Sequence, residues 1–200
     1  MNIGFVGIGS MGGMLVRAFL RKQALPAENV WVANRSLPKL HALEAKFPGI
    51  RIATSSQLAG NCDVIFLCVR PADSAAGLAE IGSELLPTKL LVTLASLITL
   101  ESLESRVPCK TAKLIPSITQ EIGRGVALLQ YGSRITREDR RLLEQLLGSI
   151  CEPVVMPDTM IALPPIWSPA GPPSSLTSCN RWQRAPSSNT PSSRLKSPAG

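Results

Sequence analysis

The sequence predicts an α/β protein built on a doubly wound, mainly parallel sheet. Strand-like and helix-like segments alternate along most of its 200 residues. The segment DVIFLCV, residues 63–69, is continuously apolar and contains β-branched and aromatic side chains, which is typical of a central strand buried on both faces. The first strand, IGFV, leads directly into a glycine-rich turn and an amphipathic helix. Together these three observations indicate a fold of the Rossmann type.

Proline, glycine and capping residues mark the ends of the elements in the first half of the chain. Pro26 follows the first helix, Ser36 can cap the second helix, Pro38 lies in that helix's first turn, and Pro48 stops it. Pro71 follows the buried strand. In chain order we predict strand 2–7, helix 11–22, strand 29–34, helix 36–47, strand 50–53 and strand 63–69.

The same signals divide the second half. Pro116 closes a strand, and Thr136 with Asp139 resembles a capping box that opens a helix ending at Gly148. In chain order we predict helix 73–86, strand 89–95, helix 99–106, strand 110–115, strand 125–131, helix 136–148 and strand 152–156.

The turn after the first strand carries the clearest functional motif. Gly7, Gly9 and Gly12 fit G-x-G-x-x-G, placed between a predicted strand and a predicted helix, which is the context in which this spacing indicates dinucleotide binding. Gly7 permits a tight turn, Gly9 lets a pyrophosphate approach the backbone, and Gly12 lets the helix pack close to the strand. The start of the helix then offers N–H groups and a positive dipole end to the anion.

The end of the second strand predicts which dinucleotide binds. The residue there meets the adenosine ribose in this fold, and an acid at this point selects NAD. Here the sequence is Asn34, Arg35 and Ser36. A neutral amide does not repel a 2′-phosphate and a neighbouring guanidinium can bind one, so we predict NADP, with NAD less favoured. The alternative is that Asn34 only ends the strand and that Arg35 is solvated.

Composition excludes several other classes of function. The formal net charge is +7, but residues 1–158 contain 17 Lys and Arg against 14 Asp and Glu, so the excess is concentrated in the last 42 residues. This distribution gives a nucleic-acid partner little support. No apolar run is long enough to span a bilayer, and the apolar N-terminus lacks the basic start of a secretory signal. We therefore expect no membrane partner.

The cysteines and the remaining polar residues predict no metal site and no catalytic residue. Five cysteines, an odd number without a C-x-x-C pair, are typical of free thiols in a reducing cytoplasm. His41, the only histidine, is predicted on a helix surface. Glu101 and Glu104 lie at helical spacing and are expected to form a solvated face.

Four segments carry a family resemblance. IGFVGIGSMG, the NRS after strand two, FLCVRP after strand four, and LVTLASLITLESLE resemble the pyrroline-5-carboxylate reductase family from Met1 to about Met160. Within that family AKLIPSITQEIGRGVALLQYG is most similar to the late-competence ComER-type branch. The resemblance implies an NADP-binding Rossmann domain over residues 1–160, followed by a helical domain that forms a homodimer or higher oligomer and completes the active site.

The resemblance also implies a reaction and a set of binding residues. The reaction is hydride transfer from NADPH to a cyclic imine, a small-molecule substrate, in proline biosynthesis. By this carry-over the pyrophosphate turn contains Gly7, Gly9, Ser10 and Met11, the adenosine end Asn34, Arg35 and Ser36, and the nicotinamide side Cys68, Val69, Arg70, Pro71, Ala95 and Ser96. Ser117 replaces an asparagine that the reductases usually carry, which leaves open a non-catalytic, competence-related accessory or regulatory protein that binds a nucleotide.

The last forty residues depart from the family pattern. From Ile161 the sequence is rich in Pro and Ser, lacks acids and has no periodicity, which predicts a disordered tail over residues 161–200. A one-base change of reading frame near Ile161 explains why the resemblance stops so abruptly, because the degenerate codons permit RVTSDLVSCGPAFLSYLLQQMAEGA, similar to the family's entry into its helical domain. On this hypothesis the tail is a non-native remnant of the dimerisation domain, and turnover is weak or absent. The alternative is a genuine Pro/Ser-rich tail.

Overall fold

The computed structural model describes residues 1–117, 120 and 125–156, and these form one sheet with helices on both faces. The strands in this part of the chain are β1 (Ile3–Val6), β2 (Val30–Ala33), β3 (Arg51–Ile52), β4 (Val64–Leu67), β5 (Leu90–Thr93), β6 (Lys110–Ile115), β7 (Val126–Tyr131) and β8 (Glu152–Val155). The α-helices are α1 (Ser10–Arg21), α2 (Leu37–Lys46), α3 (Ser55–Asn61), α4 (Ser74–Ile81), α5 (Leu100–Glu104) and α6 (Arg137–Gly148).

The strand order is β3-β2-β1-β4-β5-β6-β7-β8. The strands from β3 to β6 are parallel, β7 runs antiparallel to β6, and β8 is parallel to β7. The chain reverses its direction of winding at β1, which lies between β2 and β4. Ligands of open α/β sheets bind beyond the carboxyl ends of the strands at such a point. The order therefore marks the crevice between the ends of β1 and β4.

The core has one apolar cluster on each face of the sheet. On one face Phe5 and Phe66 stack with their ring centroids 5.0 Å apart, and Phe19 of α1 packs against both rings. This cluster continues to α6 through Leu143 and Leu147. On the other face α3 and α4 cover the central strands through apolar side chains, namely Leu58, Ala59, Leu78 and Ile81. Burial of β1 and β4 on both faces explains why their sequences are continuously apolar.

The predicted fold class is confirmed, and most predicted elements are present with slightly shorter bounds. The sequence reading missed α3, which begins with a capping box between Thr54 and Gln57. It also predicted one helix over residues 73–86, where the structure has α4 and then a separate 3-10 turn, Gly82–Glu84. The capping box predicted at Thr136 and Asp139 is confirmed at the start of α6.

The predicted Pro/Ser-rich tail, residues 161–200, lies outside the described residues. The hypothesis of a changed reading frame concerns the same residues and stays a prediction. Among the residues that the structure does describe, no helix has both the length and the apolar character needed to cross a bilayer. The same residues contain no group of three or more His, Cys, Asp or Glu side chains placed to hold a metal ion.

Candidate functional site

The turn after β1 has a backbone conformation that requires glycine. Gly7 has a φ of +97°, and its N–H donates to the Ala33 carbonyl at the end of β2 over 2.8 Å. A Cβ at this position would lie 2.9 Å from the Cys68 carbonyl oxygen. Both the torsion angle and the close approach of the chain after β4 therefore exclude a larger residue.

Gly12 and Gly9 have opposite surroundings. A Cβ at Gly12 would overlap the Gly7 carbonyl oxygen and lie 2.7 Å from the Cys68 Cβ, so this glycine lets α1 pack against the ends of β1 and β4. A Cβ at Gly9 would meet no atom within 4 Å. The side of the turn at Gly9 thus faces open space, and there the bare backbone can be approached from outside.

Helix α1 begins at this open side of the turn. Its N-cap residue, Gly9, makes no side-chain capping bond, and the first turn contains no acidic residue. The first hydrogen bond of the helix runs from the Gly13 N–H to the Gly9 carbonyl over 2.9 Å. Ser10 is exposed and Met11 is half-buried at this helix end. An uncapped helix start with no nearby acid is a suitable place for an anion.

Asn34 connects the end of β2 to the glycine turn. Its Oδ1 accepts a hydrogen bond from the Ile8 N–H over 3.1 Å, and its Nδ2 donates to the Ser36 carbonyl over 3.3 Å. The amide therefore holds the turn in place and is engaged on both sides by the protein itself. Sequence reasoning placed Asn34 beside the adenosine ribose but could not show this second role.

These segments enclose a cavity of about 440 Å³ beyond the carboxyl ends of β1, β2 and β4. Eight residues predicted from the sequence line it: Gly7, Gly9, Asn34, Arg35, Ser36, Cys68, Val69 and Arg70. Segments far apart in the chain thus meet in one cavity at the point where the sheet changes its direction of winding.

The other predicted residues are not among those that line this cavity. Ser10, Met11 and Gly12 belong to the start of α1, and Pro71 lines a neighbouring cavity between α4 and α5. Ala95 is buried and Ser96 is exposed in the loop after β5, where the Ser96 carbonyl accepts a hydrogen bond from the Lys113 Nζ over 3.3 Å. These two residues follow the strand next to β4 and do not line the cavity.

The structure adds charged residues that sequence reasoning did not single out. Asp73 lies at the rim, where its Oδ1 pairs with the Arg35 Nη2 at 3.0 Å and its Oδ2 pairs with the Arg70 Nε at 2.7 Å. The hydrogen bond from Arg70, followed by that from Arg35, lowers the pKa of Asp73 below its usual value. Lys39 and Glu80 also line the cavity. Arg70 and Asp73 are three residues apart, so the sequence itself indicates that they can form an ion pair. Arg35 is far from Asp73 in the chain, and no sequence motif indicates that they pair.

Cys68 contributes an apolar wall. Burial raises the pKa of its thiol far above the usual value, so the thiol stays neutral at physiological pH. Its Sγ lies 3.7 Å from the Phe66 carbonyl oxygen. A neutral, half-buried thiol next to Gly12 is suited to close packing of the turn and not to redox chemistry.

Known proteins that are similar to this chain match the part of it that contains the cavity. The family model described as NADP oxidoreductase coenzyme F420-dependent matches residues 2–96, which include the whole cavity. ComE operon protein 4 of Bacillus subtilis is 31% identical over 155 residues, covering 77% of this chain and 57% of that protein. Pyrroline-5-carboxylate reductase of Escherichia coli is 30% identical over 164 residues, covering 80% of this chain and 60% of that enzyme. The chain resembles the pyrroline-5-carboxylate reductase family.

Solved structures of that family share the fold. A pyrroline-5-carboxylate reductase from Coxiella burnetii superposes with a TM-score of 0.74 at 23% identity, covering 80% of this chain and 60% of that one. Pyrroline carboxylate reductase of Plasmodium falciparum, solved with NADP bound, gives a TM-score of 0.70 at 21% identity and covers 78% of this chain and 58% of that one. The chain spans somewhat more than half the length of the relatives it matches.

Proposed function

We propose that this chain binds NADP(H) in the cavity beyond β1, β2 and β4, as the nucleotide-binding part of a reductase of the pyrroline-5-carboxylate type. The observation that carries the proposal is the turn at Gly7, Gly9 and Gly12, whose backbone is open at Gly9 and closed at the other two positions. This arrangement leaves one side of the turn accessible and makes the rest too tight for side chains.

The turn fits a pyrophosphate. Gly9 presents no Cβ, the start of α1 has no side-chain cap, and no acid in the first turn repels an anion. The Ile8 N–H is already taken by Asn34, so the backbone donors that we propose for the pyrophosphate are those that follow, at Ser10, Met11 and Gly12. In this scheme Asn34 orients the turn and leaves the donors to the helix.

The charges at the end of β2 favour NADP over NAD. Arg35 and Lys39 line the cavity on this side, and no acid directly follows β2. A guanidinium binds a phosphate through two parallel hydrogen bonds, whereas the ribose hydroxyl of NAD gains much less from it. We therefore assign the 2′-phosphate to Arg35, with Lys39 adding positive charge.

We propose for the whole protein the reduction of a cyclic imine, with proline biosynthesis as its setting. The bound nicotinamide supplies the hydride, and the protein's contribution is to hold and orient it. Cys68 and Val69 form the wall of the cavity after β4, and Cys68 remains neutral there. We assign no catalytic residue. Substrate contacts and a dimer interface are part of this proposal, and we assign none of the residues described above to them.

Equilibrium titration of the purified chain with NADPH and with NADH, followed by nicotinamide fluorescence, tests the proposal. We expect NADPH to bind more tightly, and Arg35→Ala to weaken NADPH binding by about tenfold or more while leaving NADH nearly unchanged, because a charge-assisted bond contributes about 1.5–3 kcal/mol. Lys22→Ala is the matched control, since Lys22 is an exposed cation at the opposite end of α1. Failure to bind either nucleotide would refute the proposal.

A second function is favoured by Ser117 and by the similarity to ComE operon protein 4. In this alternative the chain binds the nucleotide and regulates another process, but does not catalyse hydride transfer from the nucleotide. Oxidation of NADPH by pyrroline-5-carboxylate, measured by loss of nicotinamide absorbance, separates the two. In a chain whose reading frame near Ile161 is restored, a rate that rises in Ser117→Asn favours the reductase, whereas tight binding without turnover favours the regulatory role.

A further inference from the structure

We propose that Asp73 controls the preference of the cavity between NADP and NAD by holding Arg35 in the free protein. A 2′-phosphate then has to displace the Asp73 carboxylate before Arg35 can bind it. This inference rests on the proposed function and deepens it, because it names the residue that opposes the 2′-phosphate at the same site.

The geometry makes Asp73 the fixed partner of the pair. Its side chain is 22% exposed, against 77% for that of Arg35. The Asp73 N–H donates to the Arg70 carbonyl over 2.9 Å, and the hydroxyl of Ser74 donates to the same carbonyl over 3.1 Å. The turn that carries Asp73 is thus held at the start of α4, while the exposed guanidinium of Arg35 is free to change its position.

The two oxygens of Asp73 have separate partners. Oδ1 pairs with Arg35 and Oδ2 pairs with Arg70. When Arg35 moves to a phosphate, Asp73 keeps its bond to Arg70 and is not left unpaired. Release of Arg35 therefore costs little free energy, so Asp73 should change the preference for NADP over NAD by only a few fold.

The carboxylate affects the two nucleotides in opposite directions. It competes with a 2′-phosphate for Arg35 and repels the added negative charge. A 2′-hydroxyl carries no charge and can donate a hydrogen bond to a carboxylate, which is how acids in this fold select NAD. Asp73 thus reduces the advantage that Arg35 gives to NADP. Its removal increases that advantage.

The experiment is a titration of wild-type protein and Asp73→Asn with NADPH and NADH, reported as the ratio of the two Kd values. Exposed ion pairs of this kind correspond to about threefold to fivefold in affinity, so we expect Asp73→Asn to shift the ratio toward NADPH by about that factor. Asp73 is the N-cap residue of α4 but its side chain makes no capping bond there, so Asp73→Asn should leave the start of α4 in place, which a thermal melt checks. In an Arg35→Ala background the same substitution should shift the ratio by less, because only the direct effect of the carboxylate on the nucleotide remains.

Glu80→Gln is the matched control, because Glu80 lines the same cavity and, among the described residues, makes no ion pair. We expect it to shift the ratio by less than Asp73→Asn does. An equal shift would mean that net charge and not the Arg35 pair controls preference, and would overturn the inference. An unchanged ratio in Asp73→Asn, or weaker NADPH binding, would also overturn it while the proposed function stands. If the wild-type protein binds neither nucleotide, the proposed function fails first.

Discussion

Alanine at Gly9 and alanine at Gly12 should have opposite effects although the two glycines are three residues apart. At Gly12 the added Cβ overlaps the Gly7 carbonyl oxygen and approaches the Cys68 Cβ to 2.7 Å. The oxygen is backbone and the Cβ is the base of a side chain, so α1 itself has to move. Overpacking of this kind costs about 1–3 kcal/mol. For a folded unit of this size a loss of about 2 kcal/mol lowers Tm by about 4–8 °C.

Gly9→Ala has no such cost, because its Cβ meets no atom within 4 Å and the residue has an ordinary φ of −78°. We expect it to lose less than about 1 kcal/mol of stability, from a weaker helix cap. Its methyl group instead occupies the proposed approach of the pyrophosphate. Loss of one charge-assisted hydrogen bond then weakens the binding of both NADPH and NADH by about tenfold or more.

Thermal melts by circular dichroism and nucleotide titrations of both variants check this pair of expectations. Gly12→Ala should melt earlier, and Gly9→Ala should melt close to the wild-type protein but bind poorly. If Gly12→Ala kept the wild-type Tm, the inference that α1 packs too closely against the turn to admit a Cβ would be wrong. Unchanged binding in Gly9→Ala would remove the main support for a pyrophosphate at this turn.

Two further substitutions test interactions away from the cavity. Glu104 accepts hydrogen bonds from the Ser133 N–H and hydroxyl at 2.8 and 2.9 Å, so Glu104→Gln should lose about 1–3 kcal/mol in urea unfolding at neutral pH. Burial acts to raise the pKa of Glu104, but these hydrogen bonds outweigh it and lower the pKa. The stabilisation is therefore present above the unfolded pKa of about 4.3 and is lost as the pH falls through the lower folded pKa. The pH profile of the stability of Glu104→Gln should lack this loss. The Lys89 Nζ donates to three carbonyls around the end of α3 at 2.6–2.9 Å, so Lys89→Met should lower Tm by several degrees, whereas Met at the exposed Lys46 should not.

The sheet and the glycine turn could be predicted because their signals are local. Continuously apolar strands, proline and glycine punctuation and the spacing of Gly7, Gly9 and Gly12 each depend on neighbouring residues. Helix α3 was missed because its sequence, SSQLAGN, has few apolar residues, although Thr54 and Gln57 carried a usable capping signal. The helix predicted over residues 73–86 was wrong from Gly82 onward, because α4 ends at Ile81 and Gly82 is its C-cap.

Contacts between distant segments could not be predicted in the same way. Glu104 was expected on a solvated face, but the chain after β7 brings Ser133 and Arg134 onto it, and its side chain is only 16% exposed. The pairing of Arg35 with Asp73 depends on the order β2-β1-β4, which places the ends of β2 and β4 on either side of the turn. No periodicity or motif specifies either contact.

The two ends of the cavity differ in how firmly the protein holds them. The turn is attached on both sides by backbone bonds of 2.8 Å, from the Gly7 N–H to the Ala33 carbonyl and from the Cys68 N–H to the Val6 carbonyl. The guanidinium of Arg35 is exposed, and its described ion pair is with Asp73. A site that is ordered before binding loses little entropy when the ligand arrives, whereas an exposed arginine has to exchange one partner for another. Substitutions in the turn should therefore change the affinity for both nucleotides together, and substitutions at Arg35 or Asp73 should change mainly the ratio between them.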